Sequence, residues 1–140
     1  MKRKANAVWK GDLKSGKGTM STDSGLLNNA QYSFGTRFEN GTGTNPEELI
    51  GAAHAGCFSM AFSAELGKAG FTPDSIATTA TVTLDMLETG PTVTNVHLEM
   101  QAKVPGIKPE DFQRIAEGAK QGCPISRLLN TNITLDAKLA

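Results

Sequence analysis

Apolar and polar residues alternate along four stretches of the chain, a period of two that is typical of half-buried β-strands. Turn-forming residues 89–92 separate the second stretch from the third and predict a long antiparallel hairpin. Near the N-terminus, turn residues 14–18 predict a shorter hairpin. The alternating stretches are residues 32–39, 79–86, 96–104 and 133–139, and the strands of the short hairpin are residues 5–13 and 19–22.

A long helix is predicted from residue 46 to residue 68. Asn45 is placed to cap this helix, Pro46 suits its first position, and Glu48 completes a capping box. Gly70 is the expected stop. Shorter helices are expected from Pro109 to about residue 120 and after Pro124. The order β-β-β-α-β-β-α-α-β predicts an α+β fold in which antiparallel sheets pack on helices.

The long helix is apolar on every face, so it has to be surrounded by protein. Small residues crowd its middle, at positions 51–56, where another backbone could approach closely. A dimer with two buried central helices satisfies both features. The alternative is a monomer that wraps the helix with its own sheet and second helix.

Composition and charge narrow the function classes. The 140 residues are 39% hydrophobic and 20% charged, which is typical of one soluble globular domain. Fourteen basic residues balance fourteen acidic ones without a basic cluster, so nucleic acid is not an expected partner. The apolar run of residues 49–64 is shorter than the roughly 20 residues that cross a bilayer, and residues 1–10 lack a secretory apolar stretch. The chain is therefore expected to be cytoplasmic, with no membrane partner.

The chain has two cysteines, 66 positions apart. Cys57 lies in the buried helix, where a free cysteine commonly acts as an inert small hydrophobe. Cys123 lies between Gly122 and Pro124, so its sulfur is expected at the start of a short helix whose N–H groups favour a thiolate. From the residues alone, a redox pair and two inert thiols both remain open.

Other chemical candidates are weaker. His54 precedes Cys57 by three residues and is interpreted as a buried structural histidine, while His97 is expected to face solvent. A metal site made of the two histidines and two cysteines lacks the short paired spacings of zinc motifs, so no metal is expected. Residues 11–18 miss the Ser/Thr of a phosphate loop.

Three motifs carry a specific resemblance. The stretch TNPEELIGAAHAGCFSM (44–60), the upstream TRFE (36–39) and the downstream GCPIS (122–126) resemble the osmotically inducible protein C (OsmC) family, a relative of the organic hydroperoxide resistance (Ohr) proteins. The likeness covers nearly the whole chain, and it implies one OsmC-like domain over residues 1–140. The implied structure is an intertwined homodimer whose antiparallel sheets wrap around long buried central helices, with two active sites at the interface.

The resemblance also implies an activity, the reduction of organic hydroperoxides to alcohols in defence against oxidative and osmotic stress. By position, the peroxidatic cysteine of the family falls on Cys57, the resolving cysteine on Cys123, the catalytic arginine on Arg37 and the glutamate that orients it on Glu47. The implied intermediates are a Cys57 sulfenic acid and a Cys57–Cys123 disulfide. No bound cofactor is implied, and the reductant would be an external dithiol such as the dihydrolipoyl group of a lipoylated protein.

The chemistry explains why these residue types are needed. Only a thiolate attacks the peroxide bond, and a guanidinium beside the sulfur lowers the thiol pKa. Ten residues of straight helix separate Glu47 from Cys57 by about 15 Å, so Arg37 and Glu47 are expected to serve the Cys57 of the opposite subunit. Two other functions remain as alternatives: a non-catalytic binding protein for an apolar stress-related small molecule at the dimer interface, and a purely structural dimer.

Overall fold

Six strands and four helices make up the computed structural model, which describes all 140 residues. The α+β class is confirmed. Contacts divide the chain into two units, Met1–Leu49 and Ile50–Ala140, and the single domain stays a prediction. The elements are β1 (Ala5–Lys10), β2 (Lys17–Thr22), β3 (Ala30–Tyr32), α1 (Phe34–Phe38), α2 (Pro46–Lys68), β4 (Ser75–Leu87), β5 (Gly90–Lys103), α3 (Pro109–Gly122), α4 (Pro124–Leu128) and β6 (Asn132–Leu139).

The first unit holds an antiparallel sheet in the order β1-β2-β3. Its predicted hairpin is confirmed. Gly18 pairs with Tyr32 across the sheet, and the rings of Trp9 and Tyr32 lie 5.5 Å apart. A Cβ atom on Gly18 would come within 2.5 Å of the Tyr32 ring and 2.7 Å of the Trp9 ring. The glycine is therefore required by this aromatic contact.

The strand predicted over residues 32–39 is wrong beyond Tyr32, because the chain turns into α1. Ser33 begins this helix with a complete capping box. Its Oγ accepts from the Thr36 N–H (3.3 Å), and the Thr36 hydroxyl accepts from the Ser33 N–H (2.9 Å). Phe34 and Phe38 then contact one another four residues apart, as helical neighbours do, with ring centroids at 5.0 Å.

Helix α2 begins and ends where the sequence predicts. The Asn45 side chain accepts from the Glu48 N–H at 2.8 Å and donates to the Thr36 carbonyl at 3.0 Å. The Glu48 carboxylate does not complete the predicted capping box, because it accepts instead from the Thr44 hydroxyl at 3.1 Å. After the helix, Gly70 has a φ of +88°, the left-handed conformation expected of a helix stop.

The second unit holds the sheet β4-β5-β6. Strands β4 and β5 form the predicted antiparallel hairpin, with a bulge between Thr83 and Leu84. Strands β5 and β6 run parallel, so the expectation of purely antiparallel sheets is wrong for this pair. The reason is the connection between them, which passes through α3 and α4, since a helical crossover is the usual link between parallel strands.

The core of this unit combines one face of β5 with residues of α2 and α3. Phe58 and Phe62 of α2 stack with centroids 6.1 Å apart, and the Phe62 ring meets the edge of Phe112 at 5.4 Å. The fully buried residues of this core include Phe58, Phe62, Leu66, Val96, Leu98, Phe112 and Ala116.

Replacing Phe62 by alanine should lower the free energy of unfolding by about 3–5 kcal/mol, because it removes a fully buried ring and leaves a cavity between two others. Urea denaturation followed by circular dichroism measures the loss. Leu26→Ala is the matched control, since Leu26 is 85% exposed and its loss should change stability by about 0.5 kcal/mol at most. Equal stability of the two variants would contradict this assignment of the core.

One face of α2 lacks cover in the chain. The buried face carries Gly51, His54, Phe58, Phe62 and Leu66, spaced three or four residues apart. The exposed face carries Ala52, Ala53, Gly56, Met60, Ser63, Ala64 and Gly67. The exposed residues on this face agree with a helix that is not covered on every side, and the dimer that would cover it stays a prediction.

Helix α2 is also longer than the apolar run seen in the sequence. The helix has 23 residues, and an 18-residue window within it has a mean hydropathy of 1.2, so it is long and apolar enough to cross a membrane by length and composition; 28% of that window is buried. Core helices of soluble proteins pass the same test. The absence of a membrane partner stays a prediction.

Candidate active site

The two cysteine sulfurs lie in contact. Cys57 lies on α2 and Cys123 at the junction of α3 and α4, and the Cys123 Sγ donates to the Cys57 Sγ at 2.8 Å. Both thiols are free; Cys123 is fully buried and Cys57 partly buried. The structure thus brings together the two thiols that the sequence singled out.

Pro124 explains the position of Cys123. Proline has no N–H and suits the first position of a helix, so α3 ends before it and α4 begins with it. The Cys123 N–H donates to the Ala119 carbonyl at 2.9 Å, and its carbonyl accepts from the Arg127 N–H at 3.0 Å. The backbone of Cys123 therefore belongs to both helices, which leaves its side chain free to face α2.

The surroundings of Cys57 within its own unit work against a thiolate. Burial raises the pKa of the Cys57 thiol, and the hydrogen bond from Cys123 raises it further. The backbone N–H of Ile125, in the first turn of α4, acts in the opposite direction and lowers it. Cys123 lies at the start of α4 as predicted, but its side chain makes no capping bond there, and the thiolate that this position was expected to favour stays a prediction. Cys57 needs a further positive charge to react at neutral pH.

Arg37 and Glu47 form an ion pair in the first unit. The Arg37 Nε and Nη2 atoms donate to the same Glu47 oxygen, Oε1, at 3.0 and 2.8 Å. The contact between these two residues agrees with the expected role of Glu47 in orienting Arg37, and the second carboxylate oxygen, Oε2, is buried without a partner. The Phe38 ring lies 5.3 Å from the Arg37 Cζ and limits its movement further. Glu47 is buried, whereas 39% of the Arg37 side chain is exposed, so the guanidinium is held in place and accessible.

An apolar cavity adjoins Arg37. It has a volume of about 260 Å³ and is lined mainly by Trp9, Leu13, Tyr32, Phe34 and Phe38. The bulky apolar residues close to Cys57 in the sequence do not line this cavity, and two of them, Phe58 and Phe62, lie wholly in the core. The signal that would have found this cavity is the pair of phenylalanines that flank Arg37 in the sequence.

Each of the two histidines lies beside a different hydroxyl group. His54 is fully buried as predicted, and its Nε2 lies 2.7 Å from the Ser126 Oγ while Nδ1 has no partner. Burial lowers the His54 pKa, so the ring is neutral at neutral pH. His97 is half-buried rather than facing solvent, and its Nδ1 lies 2.6 Å from the Thr134 Oγ1. No three His, Cys, Asp or Glu side chains converge on a point that could hold a metal ion.

Comparison with known proteins identifies relatives over most of the chain. Residues 39–138 match the family described as OsmC-like protein. The chain is 56% identical to the peroxiredoxin OsmC of Escherichia coli (strain K12) over 137 residues, 98% of this chain and 96% of that protein. It is 30% identical to an organic hydroperoxide resistance protein of Xanthomonas axonopodis pv. citri (strain 306) over 101 residues, 71% of this chain and 69% of that protein.

Solved structures agree on the fold. An OsmC-like protein of unknown function from Vibrio cholerae superposes with a TM-score of 0.75 at 21% identity, covering 98% of this chain and 99% of that one. The organic hydroperoxide resistance protein OhrB of Bacillus subtilis gives a TM-score of 0.68 at 22% identity, covering 98% of both chains. With a family match over residues 39–138 and a relative 56% identical along nearly its whole length, the chain belongs to the OsmC-like protein family.

Proposed function

We propose that this chain is a thiol-dependent peroxidase that reduces organic hydroperoxides to alcohols. The observation that carries the proposal is the contact between the Cys57 and Cys123 sulfurs at 2.8 Å. Two free thiols at this distance have to approach by only about 0.8 Å to reach the length of a disulfide bond. The names of the relatives, a peroxiredoxin and an organic hydroperoxide resistance protein, agree with this chemistry.

The proposed cycle has three balanced steps. The Cys57 thiolate takes the terminal OH group of the hydroperoxide as the O–O bond breaks and becomes a sulfenic acid, and the departing alkoxide takes up the proton that the Cys57 thiol released and leaves as the alcohol. The Cys123 sulfur then attacks the Cys57 sulfur, and the hydroxyl group leaves as water with the Cys123 proton. Finally an external dithiol reduces the Cys57–Cys123 disulfide and becomes a disulfide itself.

Arg37 is the proposed source of the positive charge that Cys57 lacks. An opposite charge within about 4–6 Å lowers a thiol pKa by about 1–3 units, enough to oppose the effect of burial. The same N–H groups would stabilise the negative charge that develops on the departing alkoxide oxygen. Glu47 would act as a positioning residue, because two donors on its Oε1 keep the guanidinium in one orientation.

The proposed working unit is a homodimer. The uncovered face of α2 consists largely of alanine and glycine, and small side chains allow a second helix to pack closely. Two α2 helices packed in opposite directions would bring Glu47 and Arg37 of one subunit towards Cys57 of the other. This arrangement also agrees with the ten helical residues that separate Glu47 from Cys57 within one chain.

Substrate and reductant follow from the same residues. The cavity beside Arg37 is lined by aromatic and aliphatic side chains, which favours alkyl or aryl hydroperoxides over hydrogen peroxide. The proposed cycle uses no bound cofactor, and its electrons come from a dithiol such as a dihydrolipoyl group on a lipoylated protein. We propose that the protein works in the cytoplasm, where thiols are kept reduced, without nucleic acid or membrane partners.

Intact mass spectrometry tests the proposal directly. The fully reduced protein, mixed with a stoichiometric amount of cumene hydroperoxide, should lose two hydrogens in mass while cumyl alcohol forms in equal amount. Hydrogen peroxide at the same concentration should react more slowly. Binding of the hydroperoxide without its consumption would support the alternative of a binding protein and overturn the peroxidase.

A further inference from the structure

Two side-chain hydrogen bonds join α2 to α4, and only one of them involves the thiols. The first joins Cys57 to Cys123, and the second joins His54 to Ser126 at 2.7 Å. His54 and Cys57 are three positions apart on α2. Their partners, Ser126 and Cys123, are also three positions apart, but in the reverse order along the chain. Three residues of helix span about 4.5 Å, so the second bond lies one turn from the sulfurs.

We propose that His54 and Ser126 are positioning residues for disulfide formation: their hydrogen bond keeps Cys123 beside Cys57 when the contact between the thiols is broken. The inference rests on the proposed function, because it concerns the second step of that cycle. It assigns a role to a buried pair that the attack on the hydroperoxide does not use.

The pair matters most in the sulfenic acid state. Once Cys57 carries an oxygen, its sulfur has lost the thiol contact that Cys123 makes in the reduced protein. The bond between His54 and Ser126 is then the remaining side-chain hydrogen bond from α2 to α4. Helix α4 has five residues, far too few to be stable by itself, so its position depends on such contacts.

The surroundings of the pair suit this role. His54 is fully buried and Ser126 is 9% exposed, so water does not readily replace either partner. The His54 Nδ1 has no partner, so loss of the Ser126 hydroxyl would leave both ring nitrogens unpaired in the core. A buried polar group without a partner is costly. This cost favours the position in which α4 lies against α2, here called closed, over an open position in which the two are apart.

The position of Cys123 decides which product forms. A sulfenic acid on Cys57 is either attacked by Cys123, with loss of water and formation of the S–S bond, or oxidised by a second hydroperoxide molecule to a sulfinic acid with release of another alcohol. The first outcome returns to the cycle and the second does not. The fraction of time that α4 is closed therefore sets the ratio of disulfide to sulfinic acid.

The experiment compares Ser126→Ala, His54→Leu and the double variant with the wild type. Ser59→Ala is the matched control, because it also removes a hydroxyl from the same unit, one that contacts Thr78 at 2.8 Å and neither thiol. The first readout is the ratio of disulfide to sulfinic acid, measured by intact mass after an excess of cumene hydroperoxide. The second is the thiol–disulfide equilibrium in dithiothreitol buffers, which needs no hydroperoxide.

Each single variant should lower both the product ratio and the disulfide equilibrium constant by about fivefold to tenfold, since one buried hydrogen bond is lost. The double variant should lose no more than the singles, and Ser59→Ala should match the wild type. Variants that equal the wild type in both readouts, or single losses that multiply in the double variant, overturn the inference. If the wild type does not react with hydroperoxide but the variants still shift the thiol–disulfide equilibrium in dithiothreitol, the proposed peroxidase function is overturned and the positioning role of the pair is supported.

Discussion

Replacing Cys57 by serine is expected to abolish hydroperoxide reduction. A serine hydroxyl is almost wholly protonated at neutral pH, and its oxygen cannot accept the peroxide oxygen as sulfur does to give a sulfenic acid. Consumption of cumene hydroperoxide with excess dithiol should therefore fall to the rate of the dithiol alone. The substitution removes one sulfur from a partly buried site, so the fold should persist and circular dichroism should match the wild type.

Cys123→Ser is the matched control for this prediction. Cys57 remains in place, so the reduced variant should still consume one equivalent of hydroperoxide to form its sulfenic acid, but no disulfide should follow. Its mass should rise by one oxygen, and by two with excess hydroperoxide, instead of falling by two hydrogens. Undiminished turnover by the Cys57→Ser variant would contradict the assignment of the attacking thiol. If Cys57→Ser is inactive while Cys123→Ser continues to turn over hydroperoxide, disulfide formation is not required.

Replacing Arg37 by methionine is expected to lower kcat/KM for organic hydroperoxides by about 10²–10³-fold, the cost of removing one donor from a developing oxyanion. The loss of the cation should also raise the Cys57 pKa. Because the reactive form is the deprotonated thiol, the rate rises with pH through that pKa, and the variant should need a higher pH for half its maximal rate. Arg114→Met is the control, since Arg114 pairs with Asp111 on an exposed helix surface.

Mixed dimers test whether Arg37 acts across the subunit interface. Chains with Cys57→Ser and chains with Arg37→Met are each inactive or nearly so. After unfolding and refolding together in equal amounts, half of the dimers contain one chain of each kind, and a site shared between subunits leaves one intact site in each of these. Activity should then return to about one quarter of the wild type. If Arg37 serves the Cys57 of its own chain, every site lacks either Cys57 or Arg37 and no activity returns.

Much of the fold follows from local sequence because its signals are local. The start of α2 depends on Asn45 and its stop on Gly70, both within a few residues of the helix. The strands of the second sheet are readable because a period of two aligns their apolar residues on one face. The strand prediction over residues 32–39 is wrong for a local reason as well. Two phenylalanines four residues apart also fit a helix, and the Ser33 capping box favours the helix.

The sequence by itself determined the class of the fold, the boundaries of the long helix and, by resemblance, the four residues of the proposed chemistry. Only the tertiary structure decided that the Cys57 and Cys123 sulfurs touch and that His54 pairs with Ser126. These contacts join residues 66 and 72 positions apart. Local propensity says nothing about such distances, because they depend on how α3, α4 and the parallel strand β6 return the chain to α2.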